Sequence, residues 1–366
     1  MKTSRTAIFT QPNAPFETEA VEIPPLKEGE ILVRNEYTTI CRSDLHTFSG
    51  KRTEKTPTIL GHEIAGIIEA FGPGAPTHDL RGDALAVGDR LSWAIYAANP
   101  DSAMARRGIP QKGKDLFKYG HELIKPDSHL HGGLSEYCIL RRHTPILKLR
   151  EPVPLQLIAL INCSVATVAG SLRLAGTVED RNVMITGAGM LGIIACSMCR
   201  ARGARRVIAV DISEERLSTA RRFGVDDTIL LEPEGAPLKE LVNEKLGEDS
   251  LDTALDYSGS PNAMEASLQA LGIGGTAVWV GAVTPQRALA VNAEQAVRNL
   301  HVIKGLHNYN QEDFVAAVEF MEHHHSDFPF LELVHDHYNL NAVDEAFAYA
   351  LSSGAHRVGI RINSES

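Results

Sequence analysis

Residues 182–211 read NVMITGAGMLGIIACSMCRARGARRVIAVD, and this stretch decides the fold of the second half of the chain. An apolar run is followed by Gly187-Ala188-Gly189-Met190-Leu191-Gly192, a helical pattern, a second apolar run and Asp211. A lone GxGxxG is weak evidence. Here a predicted strand precedes it, a predicted helix follows it, and an acidic residue stands 19 positions after Gly192. That context is the one that the dinucleotide-binding fingerprint requires.

The residues of this motif have separate tasks in such a unit. Gly187 permits the tight turn, Gly189 lets the backbone approach a pyrophosphate, and Gly192 allows the helix to pack closely on the sheet. The first turn of the helix, at Met190 and Leu191, favours the negative charge of the pyrophosphate. The competing interpretation is a glycine-rich turn that binds nothing.

Asp211 and two cysteines refine the prediction. Asp211 is expected to accept hydrogen bonds from the adenosine ribose and to repel a 2′-phosphate, and no arginine directly follows it. The sequence therefore favours NAD over NADP. Cys196 and Cys199 form a CxxC on the predicted helix, where buried small hydrophobic residues are the favoured interpretation over a redox pair.

The patterns on either side predict an α/β region and a β region. DDTILL, LDTALDYSG and GTAVWVGAV read as strands with helical patterns between several of them, which indicates a doubly wound parallel sheet. The first 150 residues contain short apolar runs typical of an irregular β-barrel, and from about His301 the chain leaves the alternating pattern. We predict a Rossmann domain at 161–299 and a discontinuous β-barrel domain at 1–160 and 300–366.

Composition limits the partners. A chain of 366 residues with 43% apolar and 22% charged residues fits a soluble globular protein of about two domains. A formal net charge of −10 argues against nucleic acid or an anionic membrane as the main partner. The N-terminal stretch lacks a secretory signal pattern, and the five cysteines are scattered. These features predict a cytoplasmic protein without membrane spans.

A second stretch, ICRSDLHTFSG at residues 40–50, places a thiol, a hydroxyl, a carboxylate and an imidazole within six positions. It could hold a nucleophilic cysteine, a metal ligand with supporting groups, or ordinary loop residues. His62 in ILGHEIAGIIEAFG and Cys163 in INCSVATVAG are unremarkable when taken singly. Taken alone, these residues leave the three interpretations of Cys41 open.

Taken together, these motifs make the chain similar to the zinc-dependent medium-chain alcohol dehydrogenases over nearly its whole length. The resemblance rests on CRSDLHTFSG, GHE before an apolar run, VGDR, the cysteine before the cofactor domain and the GxGxxG unit with its aspartate. It implies a GroES-like catalytic domain, NAD(H), and a catalytic zinc held by Cys41, His62 and Cys163. Glu63 matches a carboxylate that can enter or leave the coordination sphere. The resemblance therefore favours a metal-ligand role for Cys41 over a nucleophilic role.

The resemblance also implies roles for neighbouring residues. Asp44 would support the zinc-bound histidine, Ser43 would take the alcohol proton, and His46 would end the relay to solvent. Arg42 and Arg357 match basic residues at the cofactor pyrophosphate. Family members usually pair through the edge of the cofactor-domain sheet, which implies a homodimer or a homotetramer.

The chain departs from the family at a second metal site. Many members carry a structural zinc on four cysteines, and those positions fall here on Asn99, Ser102, Ala105 and Gly113. Because none of these residues supplies a thiolate, we predict one zinc per chain and no structural zinc.

The substrate is least determined by the sequence. Lys51 and Arg52 could bind an anionic group, with a solvated basic loop as the competing interpretation. PQKGKDLFKYGHE and DLRGDALAVGDR look similar to a subgroup associated with phosphonate catabolism, so our hypothesis is an alcohol or aldehyde carrying a phosphonate or phosphate. The alternatives are a polyol or amino-alcohol dehydrogenase of the same family and a non-catalytic, NAD-binding regulatory protein.

Overall fold

The computed structural model describes residues 2–232, 235 and 237–362, which form two compact units. Unit 1 comprises Met1–Cys163, Asn310–His325 and Phe330–Ser366, and unit 2 comprises Ser164–Tyr309 and Ser326–Pro329. The domain bounds 1–160, 161–299 and 300–366 stay a prediction, and the last four residues of that range lie outside the described residues.

Unit 1 is built on a seven-stranded sheet and two separate two-stranded sheets. The sheet strands are β3 (Ile31–Ile40), β4 (Glu63–Phe71), β5 (Arg90–Trp93), β8 (Tyr137–Leu140), β9 (Ile146–Lys148), β16 (Val334–Asn339) and β17 (Arg357–Arg361). The two-stranded sheets pair β1 (Thr3–Ile8) with β2 (Glu17–Glu22), and β6 (Tyr96–Ala97) with β7 (Phe117–Lys118). Its helices are α1 (Arg42–Phe48), α2 (Ala103–Arg106), α3 (Leu155–Leu160), α10 (Gln311–His324) and α11 (Val343–Ser352).

The long strand β3 is covered on both faces. Ile31 and Val33 belong to one apolar cluster with Trp93 and Tyr119, whereas Leu32, between them, belongs to another cluster. Since successive side chains of a strand point to opposite faces, the two clusters lie on opposite sides of β3. This explains why ILVRNEYTTI has no clean alternation of apolar and polar residues.

Unit 2 is a six-stranded parallel sheet. Its strands are β10 (Asn182–Thr186), β11 (Arg206–Asp211), β12 (Asp227–Leu230), β13 (Thr253–Asp256), β14 (Thr276–Trp279) and β15 (Val302–Gly305), and its helices are α4 (Ala166–Ala175), α5 (Met190–Ala201), α6 (Glu214–Ala220), α7 (Leu238–Leu246), α8 (Pro261–Ala270) and α9 (Ala293–Arg298). The strand order β12-β11-β10-β13-β14-β15 reverses direction between β10 and β13, which is the Rossmann switch point where dinucleotides bind. The predicted fold class is confirmed.

Among the residues that the structure describes, one apolar helical stretch, Leu155–Ala175, is long enough to cross a membrane by length and composition alone. It consists of α3, a π-helical turn at Ile161–Val165, and α4. Most of this stretch is buried inside the protein, as in a core helix.

Candidate metal centre and cofactor site

Strand pairing brings Cys41 next to His62 and Glu63. Cys41 directly follows β3, and Glu63 begins β4, which pairs with β3 so that Thr39 stands opposite Glu63. His62 is preceded by Gly61, whose positive φ of +87° is a backbone conformation that favours glycine. The end of one strand and the beginning of its neighbour therefore present a thiol, an imidazole and a carboxylate in the same place.

Cys163 completes the cluster from a different part of unit 1. It lies in the π-helical turn Ile161–Val165, and α3 before that turn packs against β3 and β4. π-Helical turns inside helices are rare and frequent at functional sites. Sequence reasoning missed this turn, because the apolar spacing there predicts a continuous helix.

Four donor atoms converge at this point. Each of Cys41, His62, Glu63 and Cys163 has one ligand atom within 4.8 Å of those of the other three. The first three residues are buried, and Cys163 is half-buried. Tetrahedral zinc with bonds of about 2.0–2.3 Å holds its ligands roughly 3.3–3.8 Å apart. Donor types and separations thus fit Zn²⁺ after a small closure of the cluster.

His62 is oriented through both ring nitrogens. Its Nδ1 lies 3.2 Å from Asp44 Oδ1, and its Nε2 lies 3.4 Å from Ser43 Oγ. The second oxygen of Asp44 accepts a hydrogen bond of 2.9 Å from the Cys41 backbone N–H, closing a capping box at the start of α1. Because a carboxylate on Nδ1 keeps the proton on that atom, Nε2 is left free as the ligand atom.

Electrostatics favour the metal-binding protonation state of Cys41, whereas the pKa values of His62 and Cys163 are raised. The pKa of Cys41 lies well below its ordinary range, because Cys163 donates a hydrogen bond to it and the cations Arg357 and His62 lie nearby. Burial acts to lower the pKa of His62, but the charge of Asp44 and the contact with Cys41 outweigh burial and raise it. A thiolate stabilised by neighbouring positive charge is the form of cysteine that binds zinc.

Glu63 is held by Arg357. Arg357 Nε donates to Glu63 Oε2 at 2.7 Å and Nη2 donates to Oε1 at 2.8 Å, while Thr39 Oγ1 donates to Oε2 at 2.5 Å. Arg357 Nη2 also lies 3.6 Å from Cys41 Sγ. The pairing of Val358 with Ile40 explains the contact, since it sets Arg357 opposite the residue after β3.

The predicted relay residues all lie on or beside α1. Ser43 and His46 are half-buried and three positions apart, so they share one face of the helix. Arg42 is exposed at the helix start. Burial and the nearby charges of Arg42 and Lys51 lower the pKa of His46, which favours the neutral imidazole.

Lys51 and Arg52, the basic residues after α1 that could bind an anionic group, differ from each other in their contacts. Lys51 is exposed, but Arg52 is already paired, because its Nη2 lies 2.6 Å from Glu54 Oε1. The same oxygen lies 3.1 Å from His121 Nδ1, and the His121 ring lies 5.2 Å from the His62 ring. His121 and Glu54 were not predicted as site residues; the KYGHE stretch that contains His121 gave no spacing signal toward His62.

The four positions of the family's second zinc lie in one lobe of the chain, residues 96–118, from β6 to β7. Ser102 caps α2 by accepting a hydrogen bond from Ala105 N, and a Cβ added at Gly113 would lie 3.8 Å from Ser102 Oγ. Asn310 Nδ2, at the start of α10, donates to Gly108 O at 3.3 Å. Side-chain capping and this contact help to hold the lobe.

The glycine motif in unit 2 has the geometry of a nucleotide cradle. Gly187 has φ +91°, and a Cβ there would lie 2.7 Å from Ser258 N; a Cβ at Gly192 would lie 1.9 Å from Gly187 O. Nothing lies within 4 Å of a Cβ added at Gly189, the N-cap of α5, so the space beside it is open. Met190 and Leu191 form the first turn of α5, where backbone N–H groups face an incoming anion.

Asp211 closes this cradle at the end of β11. Its Oδ2 accepts a hydrogen bond of 2.7 Å from Ala188 N and its Oδ1 one of 3.0 Å from Ser213 N. Arg216 Nη1 lies 4.0 Å from Oδ2, an arginine that the sequence analysis did not consider. The carboxylate thus ties the glycine turn to the next strand end.

Comparisons with known families agree with this geometry. Residues 27–151 match the family described as the alcohol dehydrogenase GroES-like domain, and residues 191–323 match the zinc-binding dehydrogenase family. An alcohol dehydrogenase class-3 from Zea mays is 27% identical over 313 residues, which span 81% of this chain and 80% of the relative.

Solved structures share the whole fold. An alcohol dehydrogenase from Thermotoga maritima superposes with a TM-score of 0.91 at 25% identity, covering 99% of this chain and 100% of that one. Two structures of lower identity contain nicotinamide cofactors: a zinc-binding dehydrogenase from Sinorhizobium meliloti 1021 with NADP (TM-score 0.83, 18% identity, 99% and 100% coverage) and an alcohol dehydrogenase from E. coli CFT073 with NADH (0.83, 21%, 99% and 100%).

Proposed function

This chain belongs to the zinc-dependent medium-chain alcohol dehydrogenase family, and from that premise we propose that it catalyses the reversible, NAD-linked oxidation of an alcohol to an aldehyde or ketone. The observation that carries the proposal is the convergence of Cys41, His62, Glu63 and Cys163 within 4.8 Å. In the proposal Cys41, His62 and Cys163 hold one catalytic zinc, and the chain has no structural zinc.

Each residue around the metal ligands has a defined task in this mechanism. When bound, zinc supplies a Lewis acid that lowers the pKa of an alcohol oxygen, and the nicotinamide takes up the hydride. Asp44 fixes the tautomer of His62 through the 3.2 Å contact with Nδ1. Ser43 accepts the alcohol proton, and the neutral imidazole of His46, on the same helix face, passes it towards solvent.

Arg357 controls Glu63 in the proposed mechanism. Both carboxylate oxygens of Glu63 accept hydrogen bonds from Arg357 or Thr39, so these bonds hold the carboxylate in place beside the metal ligands. Contacts of Arg42 and Arg357 with the cofactor pyrophosphate remain part of the proposal, and Arg357 has an additional role at Glu63 that the sequence did not suggest.

We propose NAD as the cofactor, bound at Gly187, Gly189, Met190, Leu191, Gly192 and Asp211. The buried carboxylate of Asp211 supports this choice, because it would repel a 2′-phosphate. The Arg216 guanidinium, 4.0 Å from the carboxylate, is a nearby group that would favour NADP.

The proposed substrate carries a phosphonate or a phosphate. Support comes from the basic residues that follow α1, with exposed Lys51 and half-buried Arg52. The pairing of Arg52 with Glu54 favours a second candidate, a polyol or an amino alcohol, whose hydroxyl or ammonium group Glu54 would bind. A non-catalytic regulatory role would need neither a proton acceptor at Ser43 nor a relay at His46.

We further propose a cytoplasmic homodimer or homotetramer. Strand β15 lies at the edge of the parallel sheet, and all of its residues, Val302–Gly305, are exposed. An exposed edge strand offers unpaired N–H and C=O groups to a second chain.

A substrate panel with zinc-loaded full-length protein tests the proposed function. NAD reduction is measured with 2-hydroxyethylphosphonate, 1-propanol, 1,2-propanediol and ethanolamine, and each rate is repeated with NADP. We expect the highest kcat/KM with the phosphonate and NAD. Equal kcat/KM for the phosphonate and 1-propanol would refute the anionic substrate, and no oxidation of any alcohol would refute the enzyme.

A further inference from the structure

A turn after β7 brings a further side chain, that of His121, beside the metal-ligand cluster. Gly120 N donates to His131 O at 2.8 Å, and His121 N lies 3.3 Å from Lys118 O, which closes the turn. A Cβ at Gly120 would lie only 2.8 Å from Gly61 O, so this turn packs directly on the residue before His62. The turn therefore holds His121 beside the metal-ligand cluster, and Lys118 lies three residues before His121, at the end of β7.

His121 lies between the proposed zinc ligand and a carboxylate. Its side chain is 9% exposed, its ring is 5.2 Å from that of His62, and its Nδ1 is 3.1 Å from Glu54 Oε1. Glu54 is only 12% exposed and also binds Arg52. The Glu54 carboxylate thus contacts both Arg52 and His121, and the positive charge of Arg52 compensates its negative charge.

Lys118 is different, because its charge is not compensated by a direct contact. Within residues 2–232, 235 and 237–362, its ammonium group has no ion pair and no hydrogen bond, although the backbone N–H of Lys118 contacts Glu122 at 3.3 Å. Burial and the nearby cations Arg52 and Lys112 lower the pKa of Lys118, partly opposed by Glu54 and Glu122. A half-buried ammonium beside two other cations is expected to gain from a bound anion.

We propose that Lys118 is the residue that binds the anionic group of the substrate, with His121 lining the space between that group and the reacting alcohol. The inference rests on the proposed function and deepens it by naming the substrate class: a short alcohol whose anionic group lies a few bonds from the carbinol carbon. Arg52 and Glu54 act as positioning residues that fix His121. Phosphonate, phosphate and carboxylate share the required charge, and matched substrates distinguish them.

The test uses Lys118→Met, which removes the charge and retains most of the side-chain length. For zinc-loaded full-length protein, kcat/KM is measured with 2-hydroxyethylphosphonate, 3-hydroxypropionate and 1-propanol. Loss of a charged hydrogen bond predicts a fall of about 10–100-fold for the better anionic substrate, with 1-propanol changed less than about twofold. Lys118→Arg should retain most of the preference. Lys114→Met, which removes an exposed charge from the same lobe, should leave both substrates unchanged.

A binding measurement separates recognition from turnover. Calorimetry with methylphosphonate should show binding to the wild-type protein that weakens about 10–100-fold in Lys118→Met and not in Lys114→Met. An anionic preference that persists in Lys118→Met, or an equal loss on 1-propanol, would overturn the inference while leaving the dehydrogenase intact. A wild-type protein that oxidises 1-propanol without any anionic preference would instead refute the proposed substrate class.

Discussion

Arg357 and Glu63, 294 positions apart in sequence, form a two-pronged ion pair beside the metal ligands, with N–O distances of 2.7 and 2.8 Å. Both side chains are almost fully buried, at 4% and 0% exposure. Burial acts to lower the pKa of Arg357, but Glu63 and Cys41 outweigh it and raise that pKa, so the arginine stays charged. The pair fixes the carboxylate at the edge of the cluster and neutralises it there.

Arg357→Met should destabilise the protein strongly. Removing one partner of a buried pair leaves the other charge uncompensated, which costs about 3–5 kcal/mol. The free energy of unfolding of zinc-loaded protein, measured with urea, checks this value. Glu63→Gln combined with Arg357→Met should lose less than Arg357→Met alone, because no buried charge remains unpaired. Arg357→Lys should recover only part of the loss, since lysine cannot make the two-pronged contact. A change below about 1 kcal/mol in Arg357→Met would contradict this description of the pair.

Asp44→Asn should weaken zinc binding. Asp44 holds both the Cys41 backbone N–H and His62 Nδ1, and loss of such an orienting carboxylate typically costs about 10–100-fold in metal affinity. Competition with a zinc-specific chelator measures the affinity directly. Asp115→Asn, at an exposed position of the same unit, provides the control and should retain wild-type affinity. Unchanged affinity in Asp44→Asn would show that Asp44 does not orient a zinc ligand.

His131 should make stability depend on pH. Its side chain is buried at 5% exposure, and burial, with the charge of Arg141, lowers its pKa to about 4 from 6.5. Because the folded-state pKa is depressed, the unfolded chain binds an extra proton between these values. Stability is therefore fully present above pH 6.5 and is lost as the pH falls to about 4, by roughly 3 kcal/mol in total.

The difference between wild type and His131→Gln isolates this contribution. The wild-type protein should lose roughly 3 kcal/mol more than the variant between pH 7 and pH 4 in urea titrations. His78→Gln, which removes an exposed histidine, should follow the wild-type curve. Parallel curves for wild type and His131→Gln would mean that His131 is not buried in its neutral form.

Asp211→Ser should shift the cofactor preference. The carboxylate is expected to exclude a 2′-phosphate, so the wild-type ratio of kcat/KM for NAD to that for NADP should exceed one and fall at least about tenfold in the variant. Arg216, 4.0 Å away, would then be free to bind the 2′-phosphate, and Asp211→Ser combined with Arg216→Ala should lose the NADP gain. A wild-type preference for NADP would contradict the NAD proposal.

The two-unit α/β and β architecture could be predicted from the sequence, because its signals are local. The run NVMIT before the glycines and the alternation of strands and helices around Asp211 depend on neighbouring residues alone. The grouping of Cys41, His62 and Cys163 came from a family resemblance, since nothing in their spacing brings them together. The structure supplies the cause, which is the β3–β4 register and the packing of α3.

The contacts that the sequence did not indicate are long-range. The bond between Arg357 and Glu63 depends on the β17–β3 register, and the contact of His121 with Glu54 depends on a turn closed by backbone bonds. Arg52 illustrates the limit well: its charge suggested an anion site, but its partner Glu54 is visible only in the structure. Within PQKGKDLFKYGHE nothing singled out Lys118, because the ion-pair partners of a lysine depend on residues that are distant in sequence.

X-ray absorption at the zinc edge of the purified protein tests the central claim most directly, together with the metal content per chain. We predict one zinc per chain, with two sulfur ligands at about 2.3 Å and nitrogen or oxygen ligands at about 2.0–2.1 Å. Cys163→Ser should leave a single sulfur in the coordination sphere or no zinc. A zinc bound only by nitrogen and oxygen, or the absence of stoichiometric zinc from active protein, would contradict the account.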